Sequence, residues 1–172
     1  MSAVSRHAAS ALLALAYLAT IAGANWAITR FGVVPVGFGY EAPAGVWFVS
    51  AALVLRDAVQ YRSGKAAALL VMAAGVALSV AVASPALAIA SGAAFACSEL
   101  TDFAVFTWLA PRWALAVLAG GMAGLVIDSV VFLSLAFGSL EFLPGQIIGK
   151  SYGVVAASVV IAWRRRRRPE PA

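Results

Sequence analysis

Residues 90–109 read ASGAAFACSELTDFAVFTWL, a run apolar enough to dissolve in a bilayer except for Glu99 and Asp102. On a helix, three residues turn the chain by about 300°, so the two carboxylates lie one turn apart on nearly the same face. Ser91, Phe95, Ser98 and Phe106 share that broad face, which gives a polar stripe edged with aromatic rings. A carboxylate at membrane depth costs at least about 2.5–3.5 kcal/mol on insertion scales, so the pair calls for a reason. One reason is a substrate or ion site inside a helical bundle. The other is a structural pair with a neighbouring helix, or a helix end lying closer to water.

The rest of the chain has the same character. It holds 172 residues, 63% hydrophobic and 11% charged, with a mean hydropathy of +0.96, whereas soluble domains run at about 25% charged. This composition predicts an all-α protein with a single integral membrane domain over residues 1–172. A spanning helix needs about 20 apolar residues, and six segments come close: 8–29, 43–61, 66–83, 86–109, 113–137 and 143–163. Ser84-Pro85 and Pro111 supply breaks, and a Gly- and Pro-rich stretch from Phe31 to Gly45 reads as a loop. Arg6, the apolar run after it and Ile21-Ala22-Gly23-Ala24 also look like a signal peptide. The run continues through Trp26, Ala27 and Ile28, which favours a retained first helix.

Charge sets orientation. With six helices, one side collects Arg6, Arg56, Arg62, Lys65, Arg112 and the five arginines 164–168, ten basic residues against Arg30 alone on the other. That bias places both termini in the cytoplasm of a cell whose inner (plasma) membrane holds the bundle. The net charge of +5 therefore belongs to an anionic leaflet, with residues 164–172 as a basic cytoplasmic tail, and not to nucleic acid. A lone Cys97 excludes an intrachain disulfide, and a lone His7 in the N-terminal tail removes a His-ligated metal centre.

Beyond the opening stretch, polar residues recur at few places. Asn25 stands near the outer end of helix 1, where its amide bonds a substrate or caps the helix. Arg56 and Asp57 close helix 2, either as a solvated end or as inward pairs. Helix 3 reads as scaffold. Gly120, Gly124 and Asp128 fall at four-residue steps on helix 5, and Gly145, Gly149 and Gly153 on helix 6, beside Gln146 and Lys150. Such glycines let backbones approach closely. Counted at about 1.5 Å per residue, Asp128 and Lys150 reach similar depths and can pair, since a buried lysine without a partner is costly. The carboxylates come with no nucleophile, metal set or phosphate loop, so an enzyme is not expected and no cofactor is implied. A carrier of protons or cations through the same carboxylates stays open.

These residues resemble the VUT family of bacterial membrane proteins, which is associated with uptake of queuosine precursors. Leu55-Arg56-Asp57 with Ser63-Gly64-Lys65-Ala66 is similar to the family's helix end and Gly-Lys turn. Residues 94–102, AFACSELTD, fit A-F-x-x-S-E-L-x-D, with Val105-Phe106 following. Asp128-Ser129-x-x-Phe132 leads to Ala136-Phe137-Gly138, and Gln146 with Lys150 resembles a closing Q-x-x-x-K. The chain departs from the pattern in its compact loops. The resemblance implies six transmembrane helices in one compact bundle, similar to the substrate-binding subunits of energy-coupling-factor transporters. It implies a small heterocyclic substrate, a 7-deazaguanine such as preQ0 or preQ1, with a vitamin as the alternative.

In that reading Glu99 accepts the paired ring N–H and NH₂ donors of a guanine-type edge, with Asp102 or Asp128 close behind. Phe95, Phe106 or Trp47 stacks on the ring, and Lys150 with Gln146 donates to its carbonyl or to a nitrile. A homodimer and an external energising partner are both compatible with the sequence.

Overall fold

The structure, a computed structural model, describes residues 3–82, 84–109 and 113–166. Six helices account for most of it: α1 (Ala3–Phe31), α2 (Val46–Ser63), α3 (Lys65–Val82), α4 (Pro85–Leu109), α5 (Trp113–Phe137) and α6 (Leu143–Arg166). The apolar segments in the sequence end within a few residues of these limits. Three stretches are long and apolar enough to cross a membrane among the described residues: Ala8–Phe31, Lys65–Val82 and Ala119–Phe137. The expected break at Pro111, along with Arg112 and the last basic residues, lies outside the described residues.

The helices close into a ring, α1 against α3, then α4, α5, α6 and α2, which returns to α1. Turns between neighbours are short. Gly64 alone separates α2 from α3, at φ 88°, a conformation that an L side chain rarely adopts, and its N–H bonds Gln60 O at 2.8 Å. Ser84 Oγ accepts the Leu87 N–H and starts α4 at the expected Ser-Pro break.

The stretch between α1 and α2 corrects the reading of a plain loop. It folds into an antiparallel hairpin, β1 (Val33–Gly37) and β2 (Tyr40–Pro43), with Val33 opposite Pro43 and Val34 opposite Ala42. Three valines favour the extended chain. Gly37, Phe38 and Gly39 all take positive φ, so the two glycines make the tight reversal possible. Two prolines are tolerated because a two-stranded ribbon is all edge. Ala44 N–H to Gly32 O, 2.8 Å, closes the base. The hairpin lies over the end of the bundle where α6 begins.

Close backbone contact explains the glycines of α6. A Cβ on Gly145 would overlap the Glu41 carbonyl of β2, one on Gly149 would come within 2.7 Å of Val46, and one on Gly153 would overlap Ser50. Instead Gly153 N–H donates to Ser50 Oγ at 2.9 Å, and that hydroxyl donates to Lys150 O at 3.1 Å. Tyr152 Oη donates to Val36 O at 3.0 Å, and its ring stacks on Trp47 with centroids 5.8 Å apart. On α5, Gly120 and Gly124 play the same part against Asp102 and Ser98 of α4. Small residues thus set both seams, as they do where apolar lipid supplies no hydrophobic drive between helices.

Candidate functional site

The interior polar residues gather beneath the hairpin. Asp128 stands nine residues from the hairpin-side end of α5 and Lys150 seven from that of α6, about 13 and about 11 Å along the axes. Lys150 Nζ donates to Asp128 Oδ2 at 2.5 Å and to Ser129 Oγ at 2.9 Å. The lysine is 1% exposed and the aspartate 4%. The Ser129 hydroxyl donates a hydrogen bond to Leu125 O at 2.9 Å, which orients its lone pairs for the ammonium. The pairing inferred from matching depths is therefore formed, and each charge neutralises the other.

One turn before Lys150, Gln146 is 2% exposed, and its Oε1 has no hydrogen-bond partner among the described residues. A buried amide oxygen left unpaired costs roughly 1–3 kcal/mol, and native interiors hold few of them. Gln146, Lys150 and Asp128 all border a cavity of about 40 Å³, whose other walls include Ser91 and Phe95 of α4 and Phe132 of α5. A second cavity of about 50 Å³ adjoins it and is bordered by Tyr17, Asn25, Ser79 and Ser91. Asn25 Nδ2 donates to Ile21 O at 3.0 Å and to Ser79 Oγ at 3.1 Å, so the amide ties α1 to α3 and does not cap a helix end. Together the cavities touch all six helices, at the centre of the ring.

The two carboxylates of α4 part company. Glu99 lies four residues past Phe95, about 6 Å further from the hairpin, and forms an ion pair with Arg56 Nη1. Arg56 also binds Asp57 Oδ1, through Nη2 at 2.5 Å and Nε at 3.0 Å. Asp102 turns into the α4–α5 seam against Gly120. None of Arg56, Glu99 and Asp102 borders either cavity. An apolar cluster of Tyr17, Ala52, Leu53, Met72 and Phe95 packs inside the bundle, and its Tyr17 and Phe95 also stand on the cavity walls. The structure thus gathers Asp128, Lys150, Gln146 and Phe95 around one cavity and Asn25 with Phe95 around the adjoining one, and puts Arg56 with Glu99 in a separate group. The side chain of Phe106 lies outside the described residues.

Sequence reasoning passed over Ser79 and Tyr17. The signal for Ser79 was available: it is the one hydroxyl in α3, and a lone polar group in an otherwise apolar helix needs a partner. Tyr17 carried no such mark, because a phenol suits both interface and core.

The comparisons bear on these same helices. A family model described as putative vitamin uptake transporter matches residues 79–163. This match supports membership of the VUT family. The matched residues run from Ser79 through α4, α5 and most of α6, so they include Gln146, Asp128, Ser129, Lys150, Glu99 and Phe95. The family is one of vitamin-uptake-type transporters, which accords with a polar centre inside apolar helices and with three stretches long and apolar enough to cross a membrane among the described residues. No curated protein and no solved structure matches the chain.

Proposed function

We propose that this protein takes up a queuosine precursor, a 7-deazaguanine, into the cell and binds it in the space beneath the hairpin. The observation that carries the reading is Gln146, a fully buried amide with an unpaired oxygen on a cavity wall beside a neutral Asp128–Lys150 pair. A guanine-type edge offers N–H and NH₂ donors next to a carbonyl acceptor. Gln146 Oε1 and the Asp128 carboxylate accept the donors, while the Gln146 amide N–H or Lys150 meets the carbonyl. Phe95 and Phe132 supply flat apolar surface for the ring.

In this proposal all six helices cross the plasma membrane, the hairpin faces outward, and both termini are cytoplasmic. Arg56, Glu99 and Asp102 then lie on the path toward the cytoplasm, where the Arg56–Glu99 pair closes the route below the apolar cluster. Uptake draws on an ion gradient, an energising partner or trapping of the product by metabolism. The family description favours one second reading, a vitamin bound in the same place. Thermal-shift titration of the purified protein with queuosine precursors and vitamins separates the two. Stabilisation by a precursor, together with its accumulation in intact cells, is the expected result. Stabilisation by a vitamin alone would replace the substrate. Repeating the uptake assay with the proton gradient collapsed identifies the energy source.

A further inference from the structure

Close backbone contacts divide the ring of helices into two bodies. Gly120 and Gly124 of α5 press against Asp102 and Ser98, so α4 and α5 form one. The other gathers α1, α2, α3, α6 and the hairpin. Within it Asn25 ties α1 to α3, Ser63 Oγ donates to Ser10 Oγ at 3.0 Å between α2 and α1, and Ser50 with Gly153 joins α2 to α6. No glycine seam of this kind links the two bodies among the described residues. The glycines of α6 face α2 or the hairpin, and a Cβ on Gly92 of α4 would meet Val76 of α3 at 3.4 Å, an ordinary contact. Both cavities lie on the boundary, with Ser91, Phe95 and Phe132 on one side and Ile28 and Val49 on the other.

Connectivity limits how one body moves against the other. α3 passes into α4 between Val82 and Pro85, and α5 into α6 between Phe137 and Leu143, both at the hairpin end. The Ser84-Pro85 step stands at the first link, and at the second Gly138 takes φ 64° with nothing within 4 Å of a Cβ. At the opposite end α4 and α5 follow one another directly in the chain. A pair held this way pivots near the hairpin and opens at its far end. Glu99 lies 14 residues beyond Pro85, about 21 Å along the axis, so a pivot of about 10° carries it about 4 Å, enough to part it from Arg56. Asp128, about 13 Å from its end of α5, moves about 2 Å, which the flexible lysine stem follows.

The two ion pairs that cross the boundary differ in the same sense. Lys150 and Asp128 have side chains 1% and 6% exposed, and no second carboxylate borders either cavity to replace Asp128. Arg56 and Glu99 are 13% and 26% exposed, and Arg56 also holds Asp57. When Glu99 leaves, the guanidinium keeps a partner and the carboxylate meets water. Parting a pair near water costs little, whereas parting a deeply buried one strands two charges.

We propose that α4 and α5 swing as one body about their hairpin-side links, with Arg56–Glu99 as the latch whose release opens the cavities toward the cytoplasm. The inference rests on the transport reading and its orientation, but not on which ligand is carried.

The test is double electron–electron resonance on the full-length Cys97→Ala protein in lipid nanodiscs. One spin-label pair, Tyr61→Cys with Ala104→Cys, spans the boundary at the latch end. The other, Tyr40→Cys with Ala86→Cys, spans it at the hairpin end; all four positions are exposed. Glu99→Gln should add a population about 5 Å longer at the 61–104 pair, the displacement of position 104 for a pivot of about 10°, and leave the 40–86 pair within about 2 Å. Arg56→Gln, which opens the same latch from α2, should give the same result. An unchanged 61–104 distance in both variants overturns the proposal. So does equal lengthening at the two ends, which would mean separation and not a swing. The swing seen in a protein that neither binds nor accumulates a queuosine precursor would support this proposal and remove the deazaguanine reading alone.

Discussion

Removing one member of the Asp128–Lys150 pair should damage this protein far more than removing both. The ammonium and carboxylate meet at 2.5 Å, with side chains 1% and 6% exposed. Lys150→Met leaves the Asp128 carboxylate facing a thioether, and Asp128→Asn leaves the ammonium with an amide and the Ser129 hydroxyl. Either change strands a buried charge, which costs about 3–5 kcal/mol, whereas replacing both partners of such a pair is often close to neutral. For a chain of this length each kcal/mol moves Tm by about 2–4 °C, so each single variant should melt about 6–20 °C lower. The double variant should stay within about 5 °C of wild type, a coupling above the usual range of about 0.5–3 kcal/mol. The assay is thermal melting in detergent, followed by loss of monodisperse protein. Simple additivity of the two single effects would refute the reasoning, because it would mean that the charges do not meet in the folded bundle.

Other outcomes follow from other contacts. Glu99→Gln and Arg56→Met should each lower Tm yet change 7-deazaguanine binding by less than about threefold at matched folded fraction, whereas Gln146→Leu should weaken it by about tenfold. A tenfold loss in Glu99→Gln would return that carboxylate to the binding site. Gly145→Ala should destabilise strongly because its Cβ meets the Glu41 backbone, while Gly121→Ala, with nothing within 4 Å, should gain about 0.5–1 kcal/mol of helix stability. Equal Tm for the two alanine variants would contradict the α6–hairpin contact. In a Cys97→Ala background, a cysteine at position 40 should react with an impermeant maleimide added outside intact cells, and cysteines at 3 and 170 should not. Outside labelling of position 170 would reverse the orientation.

Much of the architecture was legible in the residues alone, since each helix is written as an apolar run closed by Gly, Pro or a basic residue. Such runs depend on local hydropathy and backbone chemistry, which need no tertiary information. The Asp128–Lys150 pair was legible for a related reason: two charges at matching depth in apolar helices have few other partners. Glu99 and Asp102 show where this stops. Helical spacing puts them on one face, but a face of α4 meets several neighbours, and side-chain length and packing decide which one each acid reaches. Glu99 extends to Arg56, while Asp102 fits the groove left by Gly120. The Gly- and Pro-rich segment hid a hairpin because its strands gain their stability from Tyr152, Gly145 and Val46, residues that only the folded bundle brings near. Above all, the two adjoining cavities, one at Gln146 and the other at Asn25 and Ser79, are spaces between helices, and no stretch of sequence contains them.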